Sequence, residues 1–280
     1  RQGLIRVLHN LSFIEDPIRI LRAVRLEQRL GFRLEEMTED LISDALEWLD
    51  RVGGERIRQE LDAVFQEDEP ANPLRRLSEL GVLKQISPLL RWDTWLEDRV
   101  GGYLAAATHW HSRPSGSQSM PDSRRPTLAM TYLALLSIRA GEEGIQSLAE
   151  RLNLPKDETR FLMDAQLLSS LLPSLTEQGL PRSSLYRLLA PHPDPVIFVW
   201  WLASEDDLVR ERLELYHTEL SSVTPLIDGD ELRRMGLPPG PRYTEILGAL
   251  RDARLDGRVA TLDDEKAEVQ RLIAETGGKG

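Results

Sequence analysis

The sequence has no cysteine. That excludes disulfide crosslinks, thiolate nucleophiles and cysteine-ligated zinc, and it is compatible with a reducing, cytoplasmic setting. No run of 18 or more apolar residues occurs, so no segment reads as a membrane-spanning helix. Lysine is scarce, with 4 Lys against 31 Arg. The five histidines are scattered. Their one close pair, His109-Trp-His111, lacks an acidic or cysteine partner at ligand spacing and reads as helix-end packing. Asp228-Gly-Asp230 is the one Asp-x-Asp sequence, placed where a turn and helix cap are expected.

What is present is unevenly distributed. The 280 residues carry a net charge of −11, yet residues 1–34 hold seven Arg and three acids, a local +4. Residues 35–69 hold three Arg and thirteen acids, a local −10. Phosphate recognition follows the local patch rather than the total.

The opening RQGLIRVLH alternates like a strand. After it the hydrophobic period is helical almost throughout, with helices expected at 17–30, 38–50, 54–66, 70–81, 94–111, 127–139, 143–152, 156–172, 182–190, 194–203, 205–222, 242–254 and 263–274. Punctuation such as Gly53-Gly54, Asn153-Leu-Pro155 and the stretch from Pro191 to Pro195 separates them. Val196-Ile-Phe-Val199 suits a strand or a buried helix, and Trp200-Trp201 beside it reads as core. The fold class is all-α with one strand remnant. The Ser/Pro/Gly-rich stretch at 112–126 and the final GGKG read as mobile.

The most concentrated chemistry lies in SFIEDPIRILRAVRLEQRLGF, residues 12–32. At about 100° per residue, Arg19, Arg22, Arg25 and Arg29 cover roughly one third of a helix, while Ile20, Leu21 and Val24 face elsewhere. Pro17 suits a first helical position and Asp16 an N-cap. Periodicity alone leaves two readings, a solvated face or a nucleotide-holding one.

The order of motifs separates them. IRVLHNLSFIEDPIRILRAVRLEQRLGF, followed by GGERIRQELDAVF, resembles the class II tRNA nucleotidyltransferases, the CCA-adding enzymes, and the related bacterial poly(A) polymerases. The family's EDxxR matches Glu15 to Arg19, its LRAxR matches Leu21 to Arg25, and its ERIxxEL matches Glu55 to Leu61. Leu26 departs from the usual aromatic residue. DGDELRRMGLPPGPRYTEIL, residues 228–247, resembles a C-terminal segment of many bacterial members.

The resemblance implies that Asp16 and Arg19 pair with the incoming base, that Arg22 and Arg25 serve the bound nucleotide near its phosphates, and that Glu15 orients Arg19 or the backbone. Glu55, Arg56 and Glu60 are expected to brace this helix, with Arg56 and Glu60 able to pair at i, i+4. It also implies CTP and ATP as substrates, the tRNA acceptor and T-arm as partner, and two Mg2+ ions held by carboxylates of a preceding head domain. On that scheme residues 1–10 end the head, 11–69 form a neck, 70–175 a body and 176–280 a tRNA-binding tail. No catalytic or metal-ligating residue is expected in this chain, which by itself should not incorporate nucleotides. The stretch from Gly236 to Pro241 reads as a rigid turn or as backbone N–H groups offered to RNA phosphate. A helical interaction scaffold that retains these motifs is the alternative.

Overall fold

The computed structural model describes residues 3–112 and 128–277. The stretch expected to be mobile at 112–126 falls almost wholly outside these, as do the last three residues. The fold is all-α, and the described residues divide into two compact units, 3–110 with 128–170 and 111–112 with 171–277. None of the described helices is long and apolar enough to cross a membrane.

The first unit opens with a β-α-β arrangement. Strand β1 (Leu4–Ile5) is followed by the short helix α1 (Ser12–Glu15), helix α2 (Ile18–Leu30) and strand β2 (Arg33–Leu34). The strands pair in parallel with Leu4 opposite Arg33 and Ile5 opposite Leu34. A parallel pair needs a crossover between its strands, and α2 provides it. Gly31 stops α2 in the left-handed conformation at φ 63°, with Phe32 N–H donating back to the Glu27 carbonyl at 3.0 Å. Such a C-terminal turn favours glycine because a Cβ is strained there. The strand remnant thus has a partner that the two residues Arg33-Leu34 were too short to announce.

Helices α3 (Glu36–Ala45), α4 (Gly54–Phe65), α5 (Ala71–Glu79), α6 (Val82–Ile86), α7 (Thr94–Ser112), α8 (Leu128–Ser137), α9 (Gly141–Leu152) and α10 (Lys156–Ser169) follow. The expected single helix at 38–50 is two elements, because α3 passes into a 3-10 turn at Leu46–Arg51. The expected neck boundary near residue 69 does not separate compact units, since α2 packs on α4 and α5 alike. Ile18, Ile20, Leu21 and Val24 of α2, with Ile57 and Val64 of α4 and Leu74 and Leu77 of α5, are wholly buried. Each such side chain contributes about 1.5–3 kcal/mol of transfer free energy.

Gly54 shows why one glycine is required. A Cβ there would lie 2.2 Å from the Arg151 carbonyl oxygen and under 3 Å from the backbone of Leu152 and Asn153. The start of α4 therefore abuts the end of α9. Arg151 reinforces the joint, donating to the carbonyls of Leu49 at 2.8 Å and Val52 at 3.1 Å.

The second unit contains α11 (Arg182–Leu189), α12 (Asp194–Ala203), α13 (Asp207–Thr218), α14 (Gly229–Arg234), α15 (Pro241–Leu255) and α16 (Leu262–Gly277). Val196 to Val199, left open between strand and helix, are helical in α12. All of Val196–Ala203 is buried, Trp200 and Trp201 included, as expected of a helix that is apolar all round. The expected helix 205–222 starts later, because Asp206 caps α13 through the N–H groups of Leu208 and Val209. It also ends sooner, with a 3-10 turn at Leu220–Ser222. Asp228 caps α14, accepting from Glu231 N–H at 2.9 Å. Ile227, Leu232, Leu237, Ile246, Leu250 and Val269 form the local core. Beneath α16, the wholly buried Glu265 accepts from the N–H groups of Leu226 and Ile227 and from Arg254.

Candidate functional site

The motif residues converge between α2 and α4. Helix α2 begins at Ile18, with Pro17 before it and no side-chain cap. Asp16 is therefore not the N-cap that the sequence allowed. Its side chain turns to two arginines. Oδ1 accepts from Arg56 Nη2 of α4 at 2.9 Å, and Oδ2 lies 3.6 Å from Arg19 Nε. Arg19 Nη1 also reaches the Ser12 carbonyl at 3.4 Å. The Asp16 side chain is 22 % exposed and that of Arg19 48 %, so the pair faces solvent from a held position.

The remaining arginines of this face have carboxylate partners across the helix pair. Arg22 Nε donates to Glu60 Oε1 at 2.6 Å, and Arg25 Nη1 donates to Glu67 Oε1 at 3.0 Å. Glu67 Oε2 lies 4.0 Å from Arg29 Nε. The expected Arg56–Glu60 pair within α4 does not form, because each of the two reaches α2 or its approach instead. Glu15 does not orient Arg19; its carboxylate lies 3.6 Å from His9 Nε2. Glu55 accepts from Gln59, one turn along its own helix. The local excess of positive charge in residues 1–34 is thus countered by acids from residues 35–69, and the spacing of 38 to 42 residues hid this from the sequence.

One polar centre escaped the motif reading. Glu27 on the opposite side of α2 is buried, accepting from Leu34 N–H at 2.7 Å, Arg76 Nε at 3.2 Å and Gln28 at 3.3 Å. Arg76 also bonds Glu39, with Glu79 at 3.4 Å. A clue existed: Glu27 continues the seam of Ile20 and Val24 at helical spacing, and a charge on a core seam demands a partner.

Other candidates play structural parts. Trp110, between His109 and His111, is buried at 1 % exposure. Among the described residues no group of three or more His, Asp or Glu is placed to hold a metal ion. With Asp228 engaged as a cap, the magnesium implied by the resemblance finds no ligand set among them. Tyr243 donates to the Leu237 carbonyl at 2.8 Å, closing the turn that precedes α15.

Comparison with known proteins adds a second line. Residues 31–92 match the family described as "Probable RNA and SrmB-binding site of polymerase A". An A-adding tRNA nucleotidyltransferase of Geobacter sulfurreducens is 35 % identical over 97 % of this chain and 31 % of its own length. The solved Thermotoga maritima CCA-adding enzyme, complexed with tRNA_CCA, superposes with a TM-score of 0.75 at 25 % identity, covering 97 % of this chain and 65 % of that one. Over nearly its whole length the chain is thus similar to tRNA nucleotidyltransferases. It spans about a third of the Geobacter relative, so these similarities concern part of that protein's length. A CC-adding tRNA nucleotidyltransferase of the same Geobacter species is 28 % identical over 98 % of the chain and 66 % of its own length.

Proposed function

We propose that Asp16 and Arg19 read the base of an incoming CTP or ATP within a tRNA nucleotidyltransferase, and that the helices beyond α4 hold the acceptor and T-arm of tRNA. The observation that carries this reading is the Asp16 carboxylate, tied through one oxygen to Arg56 while the other stays beside Arg19. On their pairing edges cytosine and adenine both present an exocyclic amine next to a ring-nitrogen acceptor. A carboxylate accepting from the amine and a guanidinium donating to the ring nitrogen suit both. Uracil and guanine reverse that order, so carboxylate would meet carbonyl and guanidinium would meet a ring N–H. Leaving such charges mispaired costs about 2–5 kcal/mol.

Since one pair accepts both bases, the choice between C and A rests elsewhere. The higher identity to the A-adding Geobacter relative than to the CC-adding one favours terminal A addition. The natural full-length protein should therefore extend tRNA ending in CC with ATP, and extend tRNA lacking CCA poorly with CTP. Efficient CTP use on the shorter tRNA would overturn the A-adding assignment. Binding of tRNA by gel shift should fall steeply between low and moderate salt, because phosphate contacts release counterions. Salt-independent binding would favour an interaction scaffold instead.

A further inference from the structure

The two arginines expected at the nucleotide phosphates are held differently. Arg22 meets Glu60 through Nε at 2.6 Å, the stem side of its guanidinium, and half of its side chain is exposed. Arg25 meets Glu67 through the terminal Nη1, the end that a phosphate would take. Its Nε is buried and has no hydrogen-bond partner, a donor left over for a second acceptor. Glu67 in turn lies between two guanidiniums, bonded to Arg25 at 3.0 Å and 4.0 Å from Arg29. It also lines an open pocket of about 260 Å³ together with Gln28, Arg29 and Asp68. The carboxylate thus has room to move and a cation to move toward.

We infer that Glu67 is an exchangeable guard on Arg25, a carboxylate standing where a nucleotide phosphate binds and shifting to Arg29 when one arrives. This rests on the nucleotide-reading assignment and deepens it. Carboxylate and phosphate compete for the same guanidinium geometry. The guard would lower affinity for any polyphosphate, whatever its base, and leave selection of the nucleotide to Asp16 and Arg19.

Calorimetric titration of inorganic pyrophosphate, CTP and ATP into the natural full-length protein tests it. Glu67→Gln should bind all three more tightly, by roughly three- to tenfold, the scale of a partly exposed ion pair, with the CTP to ATP ratio unchanged. Asp68→Asn removes the same charge from the same pocket and should leave binding within about twofold, since exposed charges are screened. Arg29→Gln should weaken binding, and adding Glu67→Gln should restore the tighter value. Unchanged or weaker binding by Glu67→Gln overturns the inference. So does equal tightening by Asp68→Asn, or a double variant as weak as Arg29→Gln. If Glu67→Gln fails to fold, Glu67→Asp, too short to keep the Arg25 contact, must show tightening of the same sign. Failure of the base-reading assignment is separate, because it appears as unchanged nucleotide preference in Asp16→Ala.

Discussion

The two sides of α2 use the same chemistry to opposite ends. Toward α4, guanidiniums meet largely covered carboxylates, but Arg19, Arg22 and Arg56 remain about half exposed, so water reaches one partner of each of their pairs. On the other side, Glu27 is sealed from water and satisfied by a backbone N–H and by Arg76, which is itself shared with Glu39 and Glu79. Water decides the difference. An exposed pair gains little from its charges and can exchange partners, whereas a buried pair cannot lose one partner without stranding the other. One side is built to be rearranged and the other to stay fixed.

The strongest way to break this contrast is on the fixed side. Glu27→Ala leaves the Leu34 N–H without its acceptor and takes from Arg76 its one buried carboxylate, and should lower stability by about 3 kcal/mol, read by denaturant unfolding. A loss below 1 kcal/mol would mean that the centre is not buried in solution. Next in size are the base-reading residues. In the full-length protein Asp16→Ala and Arg19→Ala should each lower kcat/KM for CTP and ATP roughly ten- to hundredfold, the effect of losing a charge-assisted hydrogen bond of about 1.5–3 kcal/mol. Asp16→Ala should also relax rejection of UTP. A lowered Tm with unchanged nucleotide preference would refute the assignment.

Smaller still, Glu60→Gln should change stability by no more than about 1 kcal/mol. A loss comparable to that of Glu27→Ala would erase the distinction between the two sides. The smallest expected effect lies on the far side of α4, where burial raises the pKa of Asp62 and of Glu158, against the lowering influence of Arg58, which bonds Glu158 at 3.2 Å. A carboxyl whose pKa is raised on folding binds its proton more tightly in the native state. Its contribution is therefore most favourable at or below the ordinary carboxylate range and fades as pH rises through the raised value. Glu158→Gln keeps the shape without the charge. Its Tm relative to the parent should rise between pH 4 and pH 7, and a falling difference would contradict the assigned shift.

How much of this was legible depended on the range of the interaction. Helix α2 could be read from its period, because that pattern is local, whereas the unbroken apolar run within α12 left Val196 to Val199 open between strand and helix. The partners of Arg22 and Arg25 could not be read, since a pairing 38 or 42 residues apart leaves no mark on either segment. The expected Arg56–Glu60 contact failed for the same reason: the local rule was sound, but the partners on α2 and before it prevailed. β2 and α6 were missed because two and five residues are too few to show a period. Asp228 was readable, as a cap acts within a single turn.

The abutment at Gly54 has a consequence for any shortened version of this protein. The start of a helix carries partial positive charge and its end partial negative charge, so the junction of α4 with α9 brings opposite poles together. Arg56 and Glu60, which hold Asp16 and Arg22, ride on the first two turns of α4, and the anchor of those turns lies nearly a hundred residues downstream in Arg151, Leu152 and Asn153. A fragment cut at residue 92, where the RNA-binding family match ends, would contain every motif residue of α2 and α4 and still lack the post against which α4 is set.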